Sequence, residues 1–438
     1  MNIILLSGGS GKRLWPLSNE VRSKQFIKIF RRPGANDNGP DAYESMVQRV
    51  YRQIRCVDPE ATVTIATSKS QVSAIYNQIG EVGISVEPCR RDTFPAIALA
   101  TAYLHDVQGM STDDAVVVCP VDPFVDADYF NCVRDLYEAA REGKNNLTLM
   151  GIEPTCPSEK YGYIKPDGSG GYTFTEKPSR EKAEEYIKAG ALWNGGVFAY
   201  RLSYVLDKAE ALLGTADYAA LFHNYASLKK ISFDYAVVEQ ETDIEVLRYA
   251  GTWKDIGTWN TFTEAMEDAV IGRGMIGDGC EGVHIVNNLN LPILAMGLKD
   301  TVIAAGPDGI LVSAMDTADG IKPYVDRLGQ QIMFAEKSWG RYQVLDVQEG
   351  SMTILATLNP GQHMSYHSHE NRDEVWTVIR GTGKTVVDGM EQQIRTGDVI
   401  TMEAGSKHTV YAGEAGLQLI EVQIGKEISA ADKHKYEL

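Results

Sequence analysis

The sequence predicts an α/β protein whose main sheet is mixed and mostly parallel, followed by a β-helix-like run of short strands and a small C-terminal β-barrel. Three observations carry this. Short apolar runs alternate with helix-like segments over the first part of the chain, the pattern of a sheet covered by helices. From Cys280 to Met315 the apolar runs shorten and are broken by Gly, Asn and Asp at a spacing of roughly ten residues, which reads as short strands or β-helix coils. After Ser338-Trp339-Gly340, strand patterns alternate with glycine turns, as in a small barrel. The expected divisions are 1–265, 266–335 and 336–438.

In chain order, Ile3 to Leu6 is an apolar strand that opens the sheet. Arg31 to Asp41 is rich in turn formers and reads as an exposed loop. Ala61 to Ala66 is a strand and Gln71 to Ile79 a short amphipathic helix. Pro95 to Leu104 is a helix opened by its proline. Ala115 to Cys119 is an apolar strand, Tyr129 to Arg141 a helix, and Leu147 to Ile152 and Tyr172 to Thr175 are strands. Val283 to Val286, Ile293 to Met296, Thr301 to Ala305 and Ile310 to Val312 form the short-strand segment, and Asp316 to Leu328 is a helix or linker. Ligands on parallel sheets bind beyond the carboxyl ends of strands. A glycine-rich loop after Leu6 and the pair Val121-Asp122 both lie there.

Bulk properties exclude some functions. The net charge of −17 argues against a general nucleic-acid or anionic-membrane binder, while leaving room for a local basic pocket. Six cysteines without a CxxC pair suit buried thiols in a reducing cytosol. No export signal or membrane span is read, so a cytoplasmic protein without nucleic-acid or membrane partners is expected.

The loop Leu6-Ser7-Gly8-Gly9-Ser10-Gly11-Lys12-Arg13-Leu14-Trp15-Pro16 can wrap phosphates with its N–H groups exposed, and Lys12 and Arg13 add two cations where a triphosphate would lie. It is not a Walker loop, because Leu6 stands where the first glycine is required and Arg13 replaces Ser or Thr. It also lacks the third glycine of the dinucleotide fingerprint. A nucleotide loop of another kind and a plain strand-to-helix turn are the two readings. Asp122 emerges from a buried strand into the loop face, a place suited to a magnesium ligand, and Asp255 in Trp253-Lys254-Asp255-Ile256-Gly257 is a second candidate. Either can instead cap a strand end or turn. Tyr161-Gly162, Glu176-Lys177-Pro178 and Asn194-Gly195-Gly196 supply hydroxyl-binding polar groups, a cation for a sugar phosphate, and glycines that let backbone approach a ring.

Together these motifs, with Lys24-Gln25-Phe26, Glu87-Pro88, Arg91, Thr93, Pro95-Ala96-Ile97-Ala98 and Ser232-Phe233-Asp234-Tyr235-Ala236, run in the order of the sugar-1-phosphate nucleotidylyltransferases. The first 260 or so residues resemble most the mannose-1-phosphate guanylyltransferase branch. The resemblance implies a Rossmann-like nucleotidyltransferase fold and transfer of a nucleotidyl group from GTP to mannose-1-phosphate. Leu6, Gly8, Gly9, Ser10, Gly11, Lys12, Arg13, Glu87, Arg91 and Thr93 would bind the nucleotide. Arg13 and Lys24 would contact phosphates, Asp122 and Asp255 would hold Mg²⁺, and Tyr161, Gly162, Glu176, Lys177, Asn194 and Gly196 would bind the sugar. This chain departs from the family pattern at Lys12, Asp92, Phe94 and Pro123.

Four of eight histidines fall between His363 and His408. Gly361-x5-His367-x-His369-x4-Glu374-x6-Gly381 fits the first cupin motif, and the segment Gly397 to His408 supplies a fourth ligand. His367 and His369 share one side of a strand. Three imidazoles and a carboxylate suit a divalent ion such as Zn²⁺, Mn²⁺, Fe²⁺ or Ni²⁺. Arg372-Asp373-Glu374-Val375-Trp376 and the run from Leu419 to Gly425 resemble the type II phosphomannose isomerase domain. That resemblance implies isomerisation between mannose-6-phosphate and fructose-6-phosphate, with Arg372 holding the phosphate or activating a neighbour. The competing readings are transfer to another sugar-1-phosphate or from another NTP, and a cupin that only binds metal or builds the assembly. A homodimer is expected, with the short-strand segment as its surface.

Overall fold

A computed structural model of the chain describes every residue except 10, 36–38, 169, 330, 430 and 438. The strand Asn2–Ser7 lies inside a nine-stranded sheet, parallel to Thr62–Ser68 on one side and Ala115–Pro120 on the other. The order along the sheet is Tyr172–Thr175, Tyr163–Pro166, Leu192–Arg201, Ala115–Pro120, Asn2–Ser7, Thr62–Ser68, Gly83–Glu87. Leu147–Ile152 pairs with Leu192–Arg201 and carries Ile244–Tyr249. The sheet is mixed as expected: only Leu192–Arg201 and Tyr172–Thr175 run against the other strands.

Strand alternation splits the core. Ile3 and Leu5 point to one face, with Val117, Met46 and Val50, while Ile4 points to the other, with Val118, Phe94 and Ile97. The helix Thr93–Asp106 starts two residues before Pro95, because the Asp92 carboxylate accepts from the N–H of Thr93 (2.9 Å) at its mouth. The helix Tyr129–Glu142 stops at Gly143, which takes the left-handed conformation.

Beyond the sheet, Val270–Gly272, His284–Asn287 and Thr301–Gly306 stack in parallel around Ile285 and Ile303, and Gly309–Ala314 folds back on the last of them. Gly274–Ile276 pairs in parallel with Ile293–Ala295. These are the short strands expected from the sequence. Their hairpin turn rests on the residues after the glycine loop: Asn19 Nδ2 donates to Asp308 (2.6 Å), whose other oxygen accepts from the N–H of Met333 (2.8 Å).

The C-terminal part is a curled antiparallel sheet. Gly340–Gln348, Ser351–Leu358 and His408–Gly425 pair in turn, and Arg372–Val387 pairs with His408–Gly425, Met390–Arg395 and Val399–Met402. Trp376, Val378, Leu417 and Leu419 fill its interior. No helix among the described residues is long and apolar enough to cross a membrane, and the six cysteines are free thiols.

A β-carbon at Gly309 would lie 2.5 Å from the Trp15 ring, at a φ of +147 that side chains rarely adopt. Gly309→Ala is expected to destabilise the protein by ~1–3 kcal/mol through overpacking and backbone strain. Thermal melting of the variant checks this; an unchanged Tm contradicts it.

Candidate functional site

The glycine loop leaves the sheet beside the first acidic residue. Leu6 is the register partner of Pro120, and its carbonyl accepts from the N–H of Val121 (3.1 Å), so the loop and Asp122 start side by side. Gly9 has a φ of +118, which explains glycine there, and open space surrounds both Gly8 and Gly9. Gly11–Leu14 continues as a 3-10 turn. Ser10 lies outside the described residues. The Lys12 ammonium sits 2.9 Å from Asp326 and 3.1 Å from Glu20.

Asp255 arrives by strand pairing. Trp253–Asp255 runs antiparallel to Pro123–Val125, and Asp255 lies opposite Pro123, next to Asp122. Lys24 Nζ is 2.9 Å from Asp122 and 3.4 Å from Asp255, and donates to the carbonyl of Ile256 (2.7 Å). Burial works against the ammonium, but the two carboxylates outweigh it and hold the Lys24 pKa above its ordinary value. Arg13 reaches the same turn: its Nη1 lies 3.9 Å from where a β-carbon of Gly257 would stand. Three of the four expected catalytic groups are thus in direct contact, and the fourth is adjacent. The trio of Lys24, Asp122 and Asp255 keeps one net negative charge and both carboxylates are partly exposed, which fits a further cation.

The other expected nucleotide residues lie at the sheet edge. Glu87 accepts from the Tyr225 hydroxyl (2.9 Å), and burial holds its carboxyl above the usual range. Arg91 turns away to the carbonyl of Tyr225 (3.3 Å), and Thr93 Oγ1 accepts from the N–H of Phe233 (2.8 Å). It is Arg90 that meets the loop, donating to the carbonyl of Gly9 (2.9 Å).

Asn194 and Gly196 sit on a bulge of Leu192–Arg201, where its neighbour changes from Tyr163–Pro166 to Ala115–Pro120. The Asn194 side chain donates to Asp234 (2.6 Å) and accepts from the N–H of Gly196 (3.0 Å). Gly162, Glu176, Asn194 and Asp234 line one narrow cleft. A β-carbon on Gly162 would lie 2.5 Å from the Glu176 carboxylate, so that glycine keeps the cleft open. Lys177 pairs with Glu176 (2.8 Å) at its rim. Tyr161 packs edge-on against Trp193 and Trp253, at 4.9 and 5.1 Å between ring centres, which ties the cleft to the strand of Asp255. The sequence reading assigned no role to Arg90 or Asp234, although Asp234 stood in a quoted motif.

In the C-terminal sheet, His367, His369 and His408 bring ligand atoms within 4.8 Å of one another, and all three are buried. Glu374 joins them, its oxygens 3.1 Å from His369 Nε2 and 3.3 Å from His408 Nε2. Each imidazole faces a backbone carbonyl through Nδ1: Ser365 (2.6 Å), Asp432 (2.5 Å) and Ser406 (2.9 Å). Those acceptors place the proton on Nδ1 and leave the Nε2 lone pairs inward, the state a metal needs. His408 Nε2 is buried without a hydrogen-bond partner, so the donor set fits a metal. Arg372 donates to His369 Nε2 (3.1 Å) and Glu374 (3.2 Å).

A doubly covered sheet with a glycine loop, paired acids and a bridging lysine at its strand ends defines a nucleotidyltransferase. Residues 2–270 match the family model described as nucleotidyl transferase, more than half of the chain, and the chain belongs to that family. Residues 328–437 match the model described as mannose-6-phosphate isomerase C-terminal. The chain is 29% identical to the xanthan biosynthesis protein XanB of Xanthomonas campestris pv. campestris (strain B100), over 99% of this chain and 97% of that one. It is 27% identical to the mannose-1-phosphate guanylyltransferase of Escherichia coli (strain K12), over 98% of this chain and 96% of that one. A solved structure described as mannose-1-phosphate geranyltransferase from Thermus thermophilus superposes with a TM-score of 0.61 at 27% identity, covering 75% of this chain and 98% of that one.

Burial pushes the Asp234 carboxyl up to about 6, and the nearby Glu176 charge adds to it against the hydrogen bond from Asn194. Between the ordinary value of 3.8 and about 6 the folded state keeps a proton that the unfolded chain has lost. Asp234 therefore lowers stability as pH rises through that window. Asn retains the acceptor for Asn194. The stability advantage of Asp234→Asn over the parent should grow between pH 4 and 6 and level off above, as read by denaturant melts; an advantage that shrinks with pH contradicts it.

Proposed function

We propose that the chain transfers a guanylyl group from GTP to mannose-1-phosphate, releasing pyrophosphate and forming GDP-mannose. The observation that carries this is the Lys24 ammonium shared by Asp122 and Asp255 beside the glycine loop. The names of relatives at 26–27% identity over almost the whole chain support the guanine and mannose assignments.

In this reading the backbone N–H groups of the loop and the Arg13 guanidinium bind the triphosphate, with Lys24 beside the reacting phosphate. Glu176, Asn194 and Asp234 take the sugar hydroxyls in the cleft, and Lys177 lies at its rim for the sugar phosphate. Asp122 and Asp255 hold Mg²⁺, which when bound would neutralise charge on the α-phosphate and the leaving pyrophosphate. The phosphate oxygen of the sugar attacks the α-phosphorus in line. A phosphate monoester is largely ionised near neutral pH, so no general base is required. Positioning and charge neutralisation by these side chains supply the rate.

Three functional units are proposed: the transferase over 1–265, the short-strand linker over 266–335 and the cupin over 336–438. In the cupin, His367, His369, Glu374 and His408 hold a divalent ion such as Zn²⁺, which when bound would polarise a sugar carbonyl or hydroxyl. Arg372 then binds or activates a phosphosugar for interconversion of mannose-6-phosphate and fructose-6-phosphate. The working unit is a cytoplasmic homodimer, for which the exposed Met275, Leu291, Leu294 and Met296 offer apolar linker surface.

Purified protein with mannose-1-phosphate and Mg²⁺ should release pyrophosphate fastest with GTP. Asp122→Asn should cut kcat by about 10²–10³-fold while the protein stays folded. Faster release with CTP, UTP or ATP contradicts the guanylyl assignment, and full turnover by the variant contradicts the site.

A further inference from the structure

Two of the three cupin histidines are oriented locally. His367 and His408 present Nδ1 to carbonyls two residues before them, those of Ser365 and Ser406. His369 differs, because its Nδ1 meets the carbonyl of Asp432, 63 residues further along the chain. The Asp432 carboxylate then secures the turn that follows His369. It accepts from the N–H of Glu370 (3.0 Å), the N–H of Asn371 (3.0 Å) and the Asn371 side chain (3.2 Å), and lies 3.7 Å from Arg372 Nη1. Asp432 is buried, at 7% exposure.

The residues after it are bound down as well. His434–Lys435 pairs antiparallel with His367–Ser368, so that Lys435 lies opposite the metal-site residue His367. The N–H of Tyr436 donates to the carbonyl of Tyr366 (2.9 Å), its hydroxyl is 3.1 Å from Ser368 Oγ, and Lys407 Nζ sits 4.2 Å above its ring. A segment distant in sequence therefore grips both the strand of His367 and the turn behind His369.

We propose that Asp432 to Tyr436 is a strap that completes the cupin metal site, with Asp432 as the positioning residue for His369. This rests on the metal-site reading above. Its chemistry is that of outer partners that fix the ring orientation and tautomer of a ligating histidine, whose loss weakens metal binding about 10–100-fold. The strap also explains why Asp432 is buried so close to Arg372: it holds Arg372 and His369 in one arrangement.

The test is Zn²⁺ affinity of the full chain, measured by competition with a chromogenic chelator. Asp432→Ala keeps the main-chain carbonyl that faces His369 but removes the carboxylate that fixes the turn behind it, and should raise the Kd for Zn²⁺ about 10-fold, the lower end of that range. Asp432→Asn, which keeps an acceptor oxygen, should give a smaller loss, and Tyr436→Ala, which loosens the strap away from the ligands, a loss in the same direction. Far-UV circular dichroism and pyrophosphate release by the transferase should be unchanged in all three. Absorption spectra of the Co²⁺-loaded chain should shift for Asp432→Ala and return toward the parent for Asp432→Asn, a graded response that a general packing role would not give. If Asp432→Ala does not fold, the other two variants decide. Parental Zn²⁺ affinity in the folded variants overturns the strap alone. A parent chain that takes up no metal overturns the strap together with the metal reading beneath it.

Discussion

One ammonium group organises the transferase end of this molecule. Lys24 Nζ lies between two carboxylates far apart in sequence, one just before the strand Pro123–Val125 and one at the end of Trp253–Asp255, and a third contact ties it to the carbonyl of Ile256. The ammonium between them offsets the repulsion of the two carboxylates, and both remain partly open to a further cation. The short ribbon of Pro123–Val125 with Trp253–Asp255 exists at the strand ends where the glycine loop also emerges. Loop, lysine and acids are therefore one electrostatic unit, and the sheet is the frame that holds it.

The frame extends past the sheet. The turn between Thr301–Gly306 and Gly309–Ala314 packs on Trp15, and Asp308 binds Asn19 while capping Met333 on the way to the C-terminal sheet. Asn77 of the helix Val72–Ile79 donates to the carbonyl of Lys337 (3.2 Å) and accepts from the Asn359 side chain (3.3 Å). The residues that follow the glycine loop are thus braced by the linker, and the sheet's helical cover touches the cupin directly.

Much of this was legible in the sequence, and for physical reasons. The glycine loop, Asp122 and the cupin motif residues His367, His369, Glu374 and His408 are local patterns, in which strand periodicity or a tight turn fixes spacing before any tertiary contact forms. Asp255 was legible as a residue, but its place beside Asp122 depends on a two-strand register that spacing does not encode. The same limit explains Arg90, since neighbouring arginines on a turn differ only in which way the backbone aims them. Asn194-Gly195-Gly196 carries turn residues yet lies within a ten-residue strand, where the glycines make a bulge. The helix Met46–Val57 went unread although Met46, Val47, Val50 and Ile54 recur at helical spacing behind a reciprocal cap of Ser45 and Gln48; its Arg and Gln residues break up any continuous apolar run. Asp432 could not be foreseen at all: its role comes from a carbonyl and a carboxylate that meet His369 and its turn across the fold.

The convergence of Asp122, Asp255 and the glycine loop on one cation and one nucleotide can be tested most directly by anomalous diffraction. Crystals grown with Mn²⁺ in place of Mg²⁺ and a non-hydrolysable GTP analogue should show the Mn²⁺ peak in coordination contact with at least one of the two carboxylates, with analogue phosphates against residues 8–13. A peak held by other residues, with both carboxylates remote from the bound triphosphate, would contradict the assignment.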